Sequence, residues 1–475
     1  MLPTNPTPNL KPQPPQRFEF ISVSGEGRTD PETLRRIHSH AQSGYRRRKP
    51  VQRRQRTVEL DPTPLIDGSL GQSTLSLTTC LDDNRSDPFQ SFNLGENRRA
   101  HRLWDHVYDG TCAKFRTLIA IGFIDRVRET IALSQLLSAS AWHLVHRLCC
   151  EDDMGDDARY SMITTRSLQT QLNSLNTAIS DEAITAVLAC AAYANLIKEP
   201  ETFQVHMDGL LQILRHRGGE QALDSLPDLR ISLFWIEING RVQQDATPQY
   251  PLPYHILVPK SKLNLLEFDI YRTSLDEDFD SVCESLPVKY CLQQLVRLSQ
   301  IVGADNATAT IWNDPLFPVF HIHPLLQDFL SMTRGSVHDS LQLRQRECFR
   351  LAGIIYLLSI RSKIDFEPGA GMLYGTKLRV MLETPGVLPP CSGSVSIIVW
   401  ALVMSACSPV LFEELRGQYM NMLSTYMQAA GIADFESLLE VIRQFPWCYS
   451  VFGDAMSHLD HPAFSQQRLN LQNAE

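Results

Sequence analysis

Within "WHLVHRLCC" the chain sets side chains of the types that zinc accepts. His143, His146 and either Cys149 or Cys150 stand at i, i+3 and i+6 or i+7, one face of a helix. Zinc takes four convergent ligands, and one helix does not wrap a tetrahedron unaided, so a core face with buried thiols is the expectation here. "GAGMLYGTKLR" (369–379) has the glycine content of a phosphate-cradling loop. The G-x-x-x-x-G-K-[ST] spacing fails, because Thr376 separates Gly375 from Lys377, and a turn-rich loop after "DFEPG" is predicted instead. "RHRGG" (215–219) spells an RNA-binding RGG element. Such elements recur in Gly-rich chain, whereas this single copy closes an amphipathic segment and reads as a helix stop. "HIH" (321–323) and "HSH" (38–40) are too short to define a site. With no G-x-S-x-G and no H-E-x-x-H, no catalytic, metal-binding or cofactor-binding residue is assigned, no cofactor is expected, and the chain is not expected to be an enzyme.

The remaining candidate chemistry is electrostatic. Arg46, Arg47, Arg48 and Lys49, then Arg53, Arg54 and Arg56, put seven cations into eleven residues. Such a cluster neutralises phosphates and releases counterions, giving salt-sensitive and largely sequence-independent affinity for DNA, and it also serves as a nuclear import address. A solvated arm is the plain alternative. Residues 1–60 hold twelve Lys/Arg against five Asp/Glu, a net of +7; the whole chain carries −9, so the remainder carries −16. An acidic body repels nucleic acid, and any contact with a polyanion must come through the arm.

The elements that would carry these residues are mostly helical. Residues 1–17 are rich in Pro and polar groups and are expected to be disordered, and "FEFISV" (18–23) alternates like a short strand. Asp30 caps and Pro31 opens a helix predicted to run to about Arg48, with a narrow stripe of Leu34, Ile37, Ala41 and Tyr45. Residues 18–56 thus form a short strand plus a basic helix or arm, and 57–99, rich in Thr, Ser, Asp, Asn and Gly, reads as a flexible linker. From about Ala100 to 460 the spacing is that of an all-α, multi-helix globular domain, with 461–475 as a tail.

Helices are predicted over 126–150, 180–197 (Ser180 as cap, Asp181 and Glu182 in the first turn), 286–302, 343–361 and 434–445. Met207, Leu210, Leu211 and Leu214 stripe a further helix that ends in Arg215, His216 and Arg217 before Gly218 and Gly219. The segment 393–412 is free of charge for twenty residues, but its four serines and Pro409 make it a buried core helix rather than a membrane span. Eleven scattered cysteines, none in a C-x-x-C pair, are the usage of a reducing compartment. The N-terminal stretch lacks the charged and apolar regions of a secretion signal.

Several of these segments resemble a known family. "DEAITAVLACAAYANL", "VHMDGLLQILRHRGG" and "LRISLFWIEING" together resemble the helical regulatory domain of fungal-specific transcription factors, in the branch often found beside secondary-metabolism genes. In that branch a helix opening on His-Met-x-Gly-Leu closes on Arg-Gly-Gly, and a helix rich in Trp, Leu and Phe follows. The matching positions are His206, Met207, Gly209, Leu210, Arg217, Gly218, Gly219, Phe234 and Trp235. "CFRLAGIIYLLSI", "SGSVSIIVWALVMSACS", "FPWCYSVF" and the 18–56 block are similar to further family segments, so the resemblance covers 18–56 and about 100–455. Classical members read DNA through a six-cysteine binuclear zinc cluster. This chain has no cysteine before Cys80, so it is similar to members without the cluster and none of the family's base-reading residues carries over.

The resemblance implies a nuclear transcription regulator, with secondary-metabolite biosynthetic genes as its targets by association. Its expected partners are DNA through the N-terminal arm, a second copy of itself or other transcription regulators, and no membrane. An interaction protein that partners other factors without binding DNA is the alternative, and a small-molecule-binding or enzymatic helical bundle is the remote one.

Overall fold

The computed structural model describes residues 98–456, apart from 174–178, 261–285, 305–309, 365–368, 388–394, 431 and 433. The expected disordered N-terminus, the 18–23 strand, the arm with Arg46, Arg47, Arg48, Lys49, Arg53, Arg54 and Arg56, nearly all of the 57–99 linker and the 461–475 tail lie outside the described residues. Of the expected linker only its last two residues are described, and they open the first helix.

Among the described residues are seventeen α-helices and no strand, the all-α class expected. In chain order α1 is Arg98–Tyr108, α2 Ala113–Ala120, α3 Phe123–Arg128, α4 Leu133–His146, α5 Asp156–Leu172, α6 Asp181–Leu196, α7 Pro200–Arg217, α8 Pro227–Gln244 and α9 Tyr254–Lys260. There follow α10 Leu286–Ala304, α11 His323–Ser331, α12 Leu341–Ser362, α13 Gly371–Leu382, α14 Val395–Cys407, α15 Glu413–Ala429, α16 Phe435–Ile442 and α17 Tyr449–Met456.

Helix α6 begins where the cap residue predicts. The Ser180 hydroxyl accepts the Ala183 N–H at 3.1 Å, and Asp181 and Glu182 sit at the positive end of the dipole. Its sequence is small and apolar on nearly every side, and it is buried accordingly, packed by α4, α5, α7 and α8. Helix α7 ends at Gly218, whose φ of 103° is left-handed, and the Gly219 N–H returns to the Leu214 carbonyl at 2.8 Å. Helix α12 is the matching centre of the second half, packed by α11, α13 and α14. Helix α11 touches both α8 and α12 and so joins the two groups.

The uncharged segment forms α14, with its described side chains buried, and Trp400 Nε1 donates to the Pro446 carbonyl at 3.0 Å. Among the described residues no helix is long and apolar enough to cross a membrane.

Two expectations need correction. The helix expected over 126–150 is two helices. Thr130 breaks it: its hydroxyl donates to the Val127 carbonyl at 3.0 Å and accepts the Ala132 N–H at 3.2 Å, offering the backbone a turn in place of a helical ladder. The second piece, α4, stops at His146, and Cys149 takes a φ of 58° beyond it.

The glycine-rich segment 369–379 is not a turn-rich loop. It enters α13, where Gly371 and Gly375, four residues apart, share the face turned toward Val410, Leu411 and Leu415. A β-carbon on Gly371 would lie 2.6 Å from the Val410 carbonyl oxygen, and the Tyr419 hydroxyl donates to the Gly375 carbonyl at 2.6 Å. These glycines serve close helix packing, not a turn.

The halves are locked by buried charge at the end of α8. Asp245 has a φ of 51°, a conformation that Asp tolerates better than most residues. Its carboxylate accepts both Arg350 terminal nitrogens at 2.8 and 3.0 Å and Lys377 Nζ at 2.6 Å, and its carbonyl accepts Arg334. Burial raises the Asp245 pKa, but the hydrogen bonds from Arg350 and Lys377 outweigh it and hold the carboxyl below its ordinary value. Glu347 completes the cluster by accepting from Arg350 at 2.8 Å.

Candidate functional site

The side chains of α2, α3, α4, α6 and α8 enclose an apolar pocket of about 40 Å³, counted as room for the centres of water-sized spheres, which opens in part to solvent. Small residues open it. Ala139 of α4 and Ala189 and Ala192 of α6 stand where larger side chains would fill the gap, and Leu136, Phe115 and Trp235 form apolar walls. The identity of α6 as a helix of small residues is therefore also what leaves the hollow.

Few polar groups reach this space, and among the described residues none of those lining it is a carboxylate or a histidine. Lys114, the second residue of α2, has no hydrogen bond or ion pair among the described residues. Burial is the main reason its pKa falls to about 8, and the strongest repulsion it feels comes from Arg361, with Arg147 and Lys198 adding to it. These cations come from the ends of α12 and α4 and from the turn after α6. Gln135 of α4 is 1% exposed; its Oε1 accepts the Cys190 thiol at 3.6 Å, and its Nε2 has no acceptor. Cys112 lies at the foot of α2, and burial pushes its thiol up despite the nearby N–H groups of Phe115 and Lys114.

One part of the wall is tied to the rest of the molecule. Asn239 of α8 donates to the Trp235 carbonyl at 2.7 Å, and its Oδ1 accepts from Arg361 of α12. The same Asn239 amide lies 3.4 Å from His323 Nε2, and His323 Nδ1 bonds the Pro318 carbonyl at 2.6 Å. Pocket, α11 and α12 thus share one buried polar chain.

A second polar cluster sits behind Phe115, outside the pocket. His106 Nε2 is 2.9 Å from His143 Nδ1, and His106 Nδ1 is 2.6 Å from Asp109. Burial first, then the His106 and Arg147 charges, lowers the His143 pKa to about 4.

The core face with buried thiols expected over 143–150 needs correction, since His146 and Cys149 are exposed and Cys150 is only partly buried where the chain leaves α4. His143 pairs with His106, the His146 ring lies on Trp142 with centroids 4.9 Å apart, and Cys149 is exposed past the helix end. Among the described residues no three His, Cys, Asp or Glu are grouped to hold a metal ion. In the "HIH" segment both His321 and His323 are largely buried, and burial drives their pKa values to about 4 and about 3.

The residues of the family-like motif are placed chiefly by packing. Met207 and Leu210 are in the core, while His206 is partly buried, with its pKa lowered by burial. Gly209 faces open space, and Arg217 donates to the Ile179 carbonyl at 3.2 Å and pairs with Asp181. Gly218 and Gly219 terminate α7. Only Trp235 reaches the pocket. Lys114 and Gln135 were not legible as site residues, because a lysine on a short amphipathic helix and a glutamine beside Ser134 read as solvent-facing positions.

Comparison with protein-family models, with curated proteins and with solved structures finds no match to the chain.

Proposed function

We propose that the chain is a transcription regulator of the nucleus, with a helical body that senses or relays a signal and a basic N-terminal segment that supplies nuclear import and DNA phosphate contacts. The observation that carries this reading is the ordered series of family-like segments, from "DEAITAVLACAAYANL" to "FPWCYSVF", behind the cationic run 46–56. Further support comes from charge. A body at −16 is repelled by nucleic acid, so a +7 leader is what would bring it to DNA. By association with the resembled branch, the regulated genes belong to secondary metabolism.

A second reading has its own observation. Residues 1–79 hold no cysteine, so this stretch offers no zinc-cluster means of reading bases. The chain would then act as a non-DNA-binding partner of other transcription factors. Titration of purified full chain with duplex DNA separates the two. Binding through the arm gives an affinity that falls with log salt, at a slope of about −0.9 per phosphate neutralised. No binding at low salt rejects the DNA-contacting form and leaves the partner form. In cells, replacing Arg46, Arg47, Arg48 and Lys49 with alanine is expected to reduce nuclear accumulation of a tagged chain, and unchanged localisation would reject the import role.

A further inference from the structure

We propose that the pocket between α2, α4, α6 and α8 is a binding site for an amphipathic organic carboxylate, with its apolar body against Leu136, Ala189 and Trp235 and its head group on Lys114 and Gln135. Three observations converge on this chemistry. The walls are almost wholly apolar, so the ligand must bring apolar surface to replace water. Gln135, 1% exposed, presents an Nε2 donor with no acceptor, an arrangement that folded proteins seldom leave unmet. The Lys114 ammonium has no ion pair among the described residues; the strongest charge acting on it, Arg361, shares its sign, Cys112 acts the other way, and the weaker Arg147 and Lys198 again repel it.

The sign of the ligand follows from these neighbours. A cationic guest would meet Lys114 and the three cations around it, and a neutral one would leave the ammonium unpaired against apolar walls. A phosphate would bring up to two charges to a pocket whose lining holds a single cation, Lys114. A carboxylate brings one charge and two oxygens, which matches one ammonium and one amide N–H. The Asn239 link to Arg361 and His323 gives an occupied pocket a direct contact with α11 and α12. The site rests on its own geometry and stands apart from the reading of the chain as a transcription regulator.

The test is calorimetric titration and thermal melting of the purified full chain at pH 7 with straight-chain carboxylates from butanoate to decanoate, with 3-phenylpropanoate, and with the matching alcohols. At least one acid is expected to bind and raise Tm, at least tenfold more tightly than its alcohol. Lys114→Met should weaken the acid at least tenfold and bring acid and alcohol to similar affinity, with Gln135→Leu acting in the same direction. Ala189→Leu, which fills the pocket and touches no charge, should abolish binding of both. Raising the pH from 7 to 9.5 should weaken the acid in the wild type as Lys114 loses its proton, and leave Lys114→Met unaffected. Failure of every acid to bind, equal affinity for acid and alcohol in the wild type, or wild-type affinity in Lys114→Met would each overturn the proposal. Should a variant fail to fold, the acid-to-alcohol ratio and the pH dependence of the wild type decide the matter.

Discussion

Lys114 holds a positive charge against apolar walls, and the cost of that placement can be measured. Its pKa of about 8 in the fold against 10.5 for a free lysine means the unfolded chain binds the proton more tightly. The penalty is fully present below about 8 and is relieved as pH rises toward 10.5. In the absence of ligand, Lys114→Met should therefore stabilise the protein at pH 7, on the order of 2 kcal/mol once the partly exposed side chain is discounted for solvent. Chemical denaturation should show that gap closing between pH 8 and 10. His143 works at the other end of the scale. Its pKa of about 4 in the fold lies below 6.5, so its neutral form contributes stability above pH 6.5 that is lost as pH falls toward 4. The loss reaches about 2 kcal/mol by pH 5. His143→Gln keeps a polar group opposite His106 and cannot titrate, so its melting temperature should fall less than that of the wild type between pH 7 and 5. Neither residue could be singled out for this from sequence, because both effects come first from burial by distant elements and then from neighbours far along the chain, Arg361 for one and His106 for the other.

Among the elements, what was legible followed local rules. Ser180 with Asp181 and Glu182 announces the start of α6, and Gly218 announces the end of α7, because caps and stops are read within a few residues. Two elements were misread for opposite reasons. Thr130 separates two helices just before the apolar stripe that begins at Ile131, through a side-chain hydrogen bond that periodicity does not register. In α13, the glycines look like turn residues and are packing residues, a distinction set by Val410 and Leu411 some forty positions away. The glycines consequently fall into three kinds with different expected costs. Gly371→Ala drives a β-carbon against the Val410 backbone and should cost about 1–3 kcal/mol. Gly218→Val forces a β-branched residue into a left-handed φ and should cost about 1–2 kcal/mol, although nothing crowds it. Gly209→Ala, in open space within α7, should stabilise by about 0.5–1 kcal/mol despite its place in the family-like motif. Urea unfolding of the three variants checks the order, and a destabilised Gly209→Ala would show that this position does more than face open space.

At the scale of the whole molecule, two centres of helix packing, on α6 and α12, are joined through α11 and by the Asp245–Arg350 cluster, and the pocket lies in the first of them. The fold class was readable because helical periodicity persists over most of the chain. The pocket was not, since five helices form it and no contiguous stretch contains it. Charge divides the sequence: a +7 leader precedes a remainder at −16, the distribution expected when one segment meets phosphates and the rest does not. That distribution underlies the proposed function, so the most direct test is where the chain sits on chromatin. Occupancy of the tagged full chain should be mapped beside a version with Arg46, Arg47, Arg48 and Lys49 replaced by alanine. Discrete occupied sites for the full chain, lost or much reduced in the variant, are the expected result. A full chain held outside the nucleus, or no more enriched at any locus than an unrelated nuclear protein, would contradict it.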